Sequence, residues 1–179
     1  MGASRLWGQN IVINEILASN QTGITDKDGD TSDWIELYNP SKESINLAGY
    51  TLTDKSDNPD KWTFPAVVME SEAYLLVWAS GKDRVDSSEL HTNFRLSASG
   101  EYAGVYDPGG ELVDGFTFGS QRADVSYGRF PDGSDYFTTF QNPTPESANQ
   151  EELTLSFSHS EGIYQNDIAV ELQTNSETG

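Results

Sequence analysis

The sequence predicts an all-β sandwich or barrel, and three observations carry that reading. Short apolar runs, alternating or continuous, recur about every 8–12 residues with turn residues between them. Two of the intervening turns have hairpin chemistry. No stretch repeats its apolar residues at helical spacing.

Ile11-Val12-Ile13-Asn14-Glu15-Ile16 opens the pattern. Asp33-Trp34-Ile35-Glu36-Leu37-Tyr38 alternates, with Ile35 and Leu37 on one face and Trp34, Glu36 and Tyr38 on the other, until Asn39-Pro40 stops it. Ile45-Asn46-Leu47, Tyr50-Thr51-Leu52-Thr53 and Trp62-Thr63-Phe64 follow as short strands. Tyr74-Leu75-Leu76-Val77-Trp78 is nearly continuous in apolar character, which predicts a central strand buried on both faces. Residues 90–96 form a weaker strand that ends at Ser99-Gly100. Residues 102–106 and 112–118 flank Asp107-Pro108-Gly109-Gly110, where proline pre-sets a turn and glycine accepts the positive φ that closes it. Residues 125–130 and 136–140 flank a second such turn, Pro131-Asp132-Gly133-Ser134.

Composition narrows the function classes. The chain has 179 residues, 29 acidic against 10 basic, a formal net charge of −19 and no cysteine. Disulfides and Cys-ligated metals are excluded. A nucleic-acid binder that neutralises phosphates is normally basic, so the charge argues against one. No apolar run reaches the roughly 18 residues of a membrane-spanning helix. Four Trp, eight Tyr and eight Phe argue for a folded core rather than a disordered acidic chain.

Residues 1–9 read as a leader or tag, and residues 10–150 as the domain. Asn142-Pro143-Thr144-Pro145 marks an extended, turn-rich exit. Residues 151–179 contain six acids, no Lys or Arg, and two strand signals, at 153–157 and 168–172. They read as the truncated start of a second β domain or as an extended tail, free or borrowed by the sandwich as an edge strand.

Tests for catalysis return little. The chain lacks Gly-x-Ser-x-Gly, a phosphate-binding loop and His-Glu-x-x-His. Of its two histidines, His91 reads as a partly exposed strand-edge residue and His159 lies in the tail. The chain is therefore expected to be non-enzymatic, with no catalytic residues. The sharpest local feature is Asp26-Lys27-Asp28-Gly29-Asp30-Thr31-Ser32-Asp33. Asp26, Asp28, Asp30 and Asp33 could converge on calcium, which takes six to eight oxygen ligands. The alternative is an acidic turn whose aspartates cap local backbone N–H groups. Asp54, Asp57 and Asp60 form a looser second acidic loop, and Thr53-Asp54-Lys55 before Trp62 echoes Thr25-Asp26-Lys27 before Trp34. Trp34, Trp62 and Trp78 are candidates for a sugar-stacking platform, but their alternating strands favour core packing. Asn20-Gln21-Thr22 is a formal N-glycosylation sequon.

These motifs in order resemble the lamin tail domain family. Ile13-Asn14-Glu15-Ile16, the run from Asp33 to Pro40, Leu47-Ala48-Gly49-Tyr50-Thr51-Leu52-Thr53-Asp54 and Trp62-Thr63-Phe64-Pro65 carry the first half. Tyr74-Leu75-Leu76-Val77-Trp78-Ala79-Ser80-Gly81, Phe94-Arg95-Leu96-Ser97, Ser126-Tyr127-Gly128-Arg129 and the segment from Pro143 to Asn149 carry the second. The resemblance implies an immunoglobulin-like β-sandwich. The acidic loop before Trp34 looks like the form found in bacterial, extracellular multidomain proteins, where such a domain is an accessory module. The tail is similar to the first strands of the fibronectin-like chitobiase C-terminal family, which often stands between a lamin tail domain and a CotH-kinase-like domain. The resulting expectation is a non-catalytic, extracellular or cell-surface interaction module, calcium-stabilised in one version. Neighbouring domains and a protein or glycan are its expected partners, with no nucleic acid and no membrane span. A carbohydrate-binding module attached to a secreted hydrolase is the alternative.

Overall fold

A computed structural model describes residues 11–150 and two further short strands. Thirteen strands lie in residues 11–150: β1 (Val12–Leu17), β2 (Asp33–Tyr38), β3 (Ile45–Asn46), β4 (Thr51–Thr53), β5 (Trp62–Thr63), β6 (Val68–Met69), β7 (Tyr74–Ala79), β8 (Arg84–Asp86), β9 (Glu89–His91), β10 (Glu101–Tyr106), β11 (Leu112–Phe118), β12 (Ser126–Arg129) and β13 (Phe137–Phe140). The described residues contain no helix. Seven strands form one sheet in the order β13-β12-β1-β2-β7-β9-β8, and four form a second in the order β11-β10-β4-β5. β3 and β6 pair as a small ribbon.

The core lies between the two sheets. Ile13, Ile16, Ile35, Leu37, Val77 and Leu90 from the large sheet pack in one cluster with Leu52, Trp62, Ala103, Val105 and Phe118 from the small one. Because side chains alternate along a strand, Ile35 and Leu37 enter this core while Trp34 turns to the other face. There Trp34 joins Leu17 and Trp78 in a second buried cluster, with Leu76 beside it. β2 is therefore covered on both faces. β7 is central, as its apolar run predicts, although its first three residues are only half-buried.

Both predicted hairpins form. β10 pairs with β11 around Asp107, whose carboxylate accepts from the N–H groups of Gly109 (2.8 Å) and Glu111 (3.0 Å), and Gly110 takes φ 82°. β12 pairs with β13 around Asp132 and Gly133. The strand expected over 90–96 shortens to β9, which runs parallel to β7. β6 and β8, of two and three residues, are too short for a sequence signal.

β1 carries a bulge between Ile13 and Glu15. It keeps Ile13 and Ile16 in the core at a spacing of three and directs Asn14 and Glu15 away from it. An extra residue in one strand re-aims side chains in this way. Opposite Glu15 on one side stands Glu36 of β2, and on the other stands Gly128 of β12.

The Pro-rich segment at 142–149 is a strap rather than a free linker. Thr144, Glu146 and Asn149 bond to Glu15, Glu36, Asp132 and the Arg129 carbonyl, and Asn149 is buried. Beyond it, β14 (Leu155–Phe157) and β15 (Leu172–Thr174) pair antiparallel with each other and add to neither large sheet. The leader, the signal at Ile168 and Val170, and His159 lie outside the described residues.

Gly128 lets the strap come close. A Cβ there would sit 2.6 Å from the Asn14 carbonyl oxygen and 3.1 Å from Asn149 Nδ2. Gly128→Ala is expected to destabilise the domain by about 1–3 kcal/mol, as overpacking against backbone does. Urea denaturation of the two proteins checks this.

Candidate functional site

The acidic loop before β2 is built around Asp26. Its Oδ1 accepts from the N–H groups of Asp28 and Asp30, both at 3.0 Å, while Gly29 N–H donates to the Asp26 carbonyl and takes φ 85°. That is the capping turn expected as the alternative to a metal loop. The second carboxylate oxygen of Asp26 faces Lys82, which sits just before β8. Lys82 Nζ lies 2.5 Å from Asp26, 2.7 Å from Asp28 and 2.9 Å from Asp30.

Three of the four aspartates expected to bind a metal thus converge, with ligand oxygens within 4.8 Å of one another. The cation at their centre is an ammonium group from the same chain. The fourth, Asp33, stands apart. Its carboxylate accepts from Asn20 N–H at 3.2 Å, and burial raises its pKa against the pull of that bond and of Arg95.

Further bonds stitch the loop to the β8–β9 hairpin. Arg84 reaches Asp28 (2.7 Å) and Glu89 (3.3 Å), Lys27 N–H donates to Glu89 (2.8 Å), and Lys27 Nζ donates to Ser88 Oγ (2.7 Å). Electrostatics follow the geometry. Bonds from Lys82 and then Arg84 hold Asp28 down at about 2. At Asp26, burial pulls upward but is outweighed by Lys82 and the two backbone donors. At Lys82 burial works against the charge, and its three carboxylate partners prevail and raise its pKa. The second acidic loop repeats the device in small, with Asp54 paired to Lys61 at 2.5 Å.

Beside this network a surface cavity of about 350 Å³ lies between Asp30, Ser32 and Asp33 on one side and Ser80, Lys82 and Arg95 on the other. Ser80 leads into a hydrogen-bonded chain: Ser80 Oγ is 2.9 Å from His91 Nδ1, and His91 Nε2 is 3.0 Å from Glu89. The order matches a Ser–His–carboxylate relay. However, His91 has no exposed surface, against the partly exposed position expected from sequence, and Ser80 Oγ also accepts from Lys82 N–H. The chain joins β7 to its parallel neighbour β9 and supplies the polar partners that a buried imidazole needs.

Two groupings escaped the sequence reading. Glu15 and Glu36 are both fully buried under the strap. Arg129 of β12 donates through Nη2 to both oxygens of Asp114 on β11 (2.9 and 2.8 Å), and Asp114 also accepts from Ile13 N–H (2.8 Å). An acid on the Trp34 face of an otherwise apolar strand is the sequence signal that could have flagged Glu36. The tryptophan platform does not form. Trp34, Trp62 and Trp78 are 0%, 3% and 5% exposed. Asn20 of the sequon is also buried, its amide donating to Ile24 and Ser32 carbonyls and accepting from Gly23 N–H.

Two facing sheets with a core between them and a second buried cluster beyond β2 define an immunoglobulin-like domain, a class usually without catalysis. The family model for the lamin tail domain matches residues 8–120, so the chain belongs to the lamin tail domain family. The match ends before β12, whereas the sandwich continues through β13 and the strap. No curated protein matches the chain. No helix among the described residues is long and apolar enough to cross a membrane.

Asp26 and Asp28 are held below their ordinary values, so their charged forms favour the folded state at neutral pH. That contribution is present above their ordinary value of 3.8 and is lost as pH falls below it, for Asp28 toward about 2. The denaturation midpoint is expected to drop across this window. Lys82→Met should lower the midpoint at neutral pH and flatten the acid limb, as measured by urea titration at a series of pH values.

Proposed function

We propose that this domain is a non-catalytic interaction and accessory module of an extracellular or cell-surface bacterial protein that carries further domains. The observation behind this reading is the acidic loop locked onto the β8–β9 hairpin by Lys82 and Arg84. The tie holds loop and hairpin as one fixed surface of paired charges, and the excess of acids over bases in the chain as a whole favours a partner with basic side chains. The reactive-looking side chains nearby are consumed by structure, which supports recognition over chemistry. Expected partners are neighbouring domains of the same polypeptide, or a protein or glycan at the surface. The test is carbodiimide cross-linking of the full-length product, in which contacts are expected from the exposed carboxylates of Asp28 and Asp30 to lysines of companion domains. Their absence, with cross-links arising only elsewhere on the sandwich, would move the binding face.

Calcium stabilisation rests on Asp26, Asp28 and Asp30 and requires Lys82 to swing aside. The wild-type protein is therefore expected to show no change in melting temperature at millimolar calcium, and Lys82→Met to gain a measurable calcium affinity by calorimetry. A calcium-dependent rise in the wild type would show that the ion displaces the lysine.

The glycan-binding version has one observation in its favour. The Tyr102 ring lies across Gly104 and Gly115, where added Cβ atoms would fall 2.4 Å from its hydroxyl, and that hydroxyl is 3.2 Å from Tyr106. Flat tyrosines on a sheet face suit stacking against a sugar ring. Binding on a glycan array that disappears with Tyr102→Ala and survives Trp62→Phe would favour it.

A further inference from the structure

The strap at 142–149 is held mainly by carboxyl groups that have no cation. Thr144 N–H lies 3.3 Å from both oxygens of Glu15, and Glu146 N–H donates to Glu36 at 2.6 Å. Asn149 N–H donates to Asp132 at 3.1 Å, and Asn149 Nδ2 donates to the Arg129 carbonyl at 2.7 Å. Asn14 links the set by donating to Glu36 (3.2 Å) and Asp132 (2.9 Å), and Ser126 Oγ donates to Glu15. Glu15 and Glu36 have no exposed surface.

The charged groups that face Glu36 oppose a negative charge there, and what favours one is limited to two neutral donors, the Asn14 amide and the Glu146 N–H, set against full burial. Glu15 stands opposite it on β1, and Asp132 approaches from the β12–β13 turn. On β7 the Tyr74 phenol donates to Asp132 at 2.7 Å, and Tyr38 stacks on Tyr74. The strap itself brings the Glu146 backbone. Arg129, the cation on β12, is taken up by Asp114. Two buried carboxylates with a third beside them and no cation cannot all ionise cheaply.

The strap is also held under strain where it meets Glu36. Glu146 adopts φ 62°, a left-handed conformation that a non-glycine residue adopts at a cost. The docked backbone at this position is retained by the bond to Glu36, which offsets that cost.

We propose that the strap is a proton-dependent latch, docked while the Glu15–Glu36 pair holds a proton and released when the pair becomes fully charged. Release opens Glu36 to water and frees the chain that leads from the sandwich toward the β14–β15 ribbon. The direction in which the chain leaves the domain is thereby set by pH. This inference is independent of the interaction-module reading, since it concerns only how the strap is held.

Burial, with Glu15 and Asp132 adding to it, pushes Glu36 up to about 8, and burial raises Glu15 as well. A carboxyl raised on docking favours the docked state fully below its ordinary value of 4.5 and ceases to do so as pH rises through about 8.

Amide hydrogen exchange followed by NMR, corrected for the intrinsic pH dependence of exchange, tests the latch. In the wild type the Glu146 amide is expected to lose protection by up to about tenfold per pH unit between the ordinary value of 4.5 and about 8, and to level off above it, as one-proton linkage requires. The Ile35 and Val77 amides in the core should hold theirs. Glu36→Gln, which keeps an acceptor oxygen and cannot ionise, is expected to stay protected throughout. Unchanged protection of Glu146 in the wild type would overturn the latch, and so would equal loss at Ile35 and Val77. If Glu36→Gln does not fold, the Glu36 carboxyl carbon shift in the wild type decides. Titration near 8 together with the Glu146 amide supports the latch, and titration near 4.5 overturns it.

Discussion

The two sheets are joined by more than apolar contact. Between β12 and β11 the guanidinium of Arg129 meets Asp114, and the same group donates through Nε to the Ile13 carbonyl on β1. Asp114 in turn accepts from Ile13 N–H. The bulge in β1 leaves Ile13 with backbone groups that the ladder does not satisfy, and this ion pair fills both needs at once. A buried ion pair of this kind is weak evidence of stability, because desolvation consumes much of its attraction. Its value here is positional. It fixes where the bulge falls, and the bulge decides that Ile13 and Ile16 face the core while Asn14 and Glu15 face the strap.

The strongly acidic composition acquires a physical meaning from this arrangement. A net charge of −19 on the chain, most of it within the domain, would push the folded state apart. Instead, the basic side chains are placed where carboxylates crowd. Lys82 serves three aspartates, Arg84 joins Asp28 to Glu89, Lys61 serves Asp54 and Arg129 serves Asp114. The exception is the Glu15–Glu36 pair, which is met by backbone N–H, hydroxyl and amide donors rather than by a cation. The domain thus holds acids inside in two ways, one with a cation and one with neutral donors alone.

Most of the architecture was legible in the sequence, because period-two alternation and turn chemistry are local signals. β2 and the turns at Asp107 and Asp132 were readable from their own residues. What could not be read depends on distance along the chain. Lys82 lies 56 residues from Asp26, and no local pattern pairs them, so the acidic loop looked like a metal site in want of a cation. Asp33 shared the spacing of that loop but belongs to the start of β2, where strand geometry turns it toward Asn20. The strap read as an extended, turn-rich exit from the domain, because proline and small polar residues give no sign of what lies beneath them. Its docking is visible only in the position of Gly128 and the acids beneath it. β6 and β8 were too short to register as strands.

The central claim is that the buried charges of this domain close the fold rather than perform chemistry, and the Arg129–Asp114 pair states it most sharply. A double-mutant cycle with Arg129→Met, Asp114→Leu and both together, read by urea denaturation, tests it directly. Each single substitution should cost about 3–5 kcal/mol, because each leaves a buried charge without its partner. The double variant should recover a large part of that loss, leaving about 1–3 kcal/mol for the orphaned Ile13 N–H. Single variants that unfold at the wild-type midpoint, or a double variant whose loss equals the sum of the two, would contradict it.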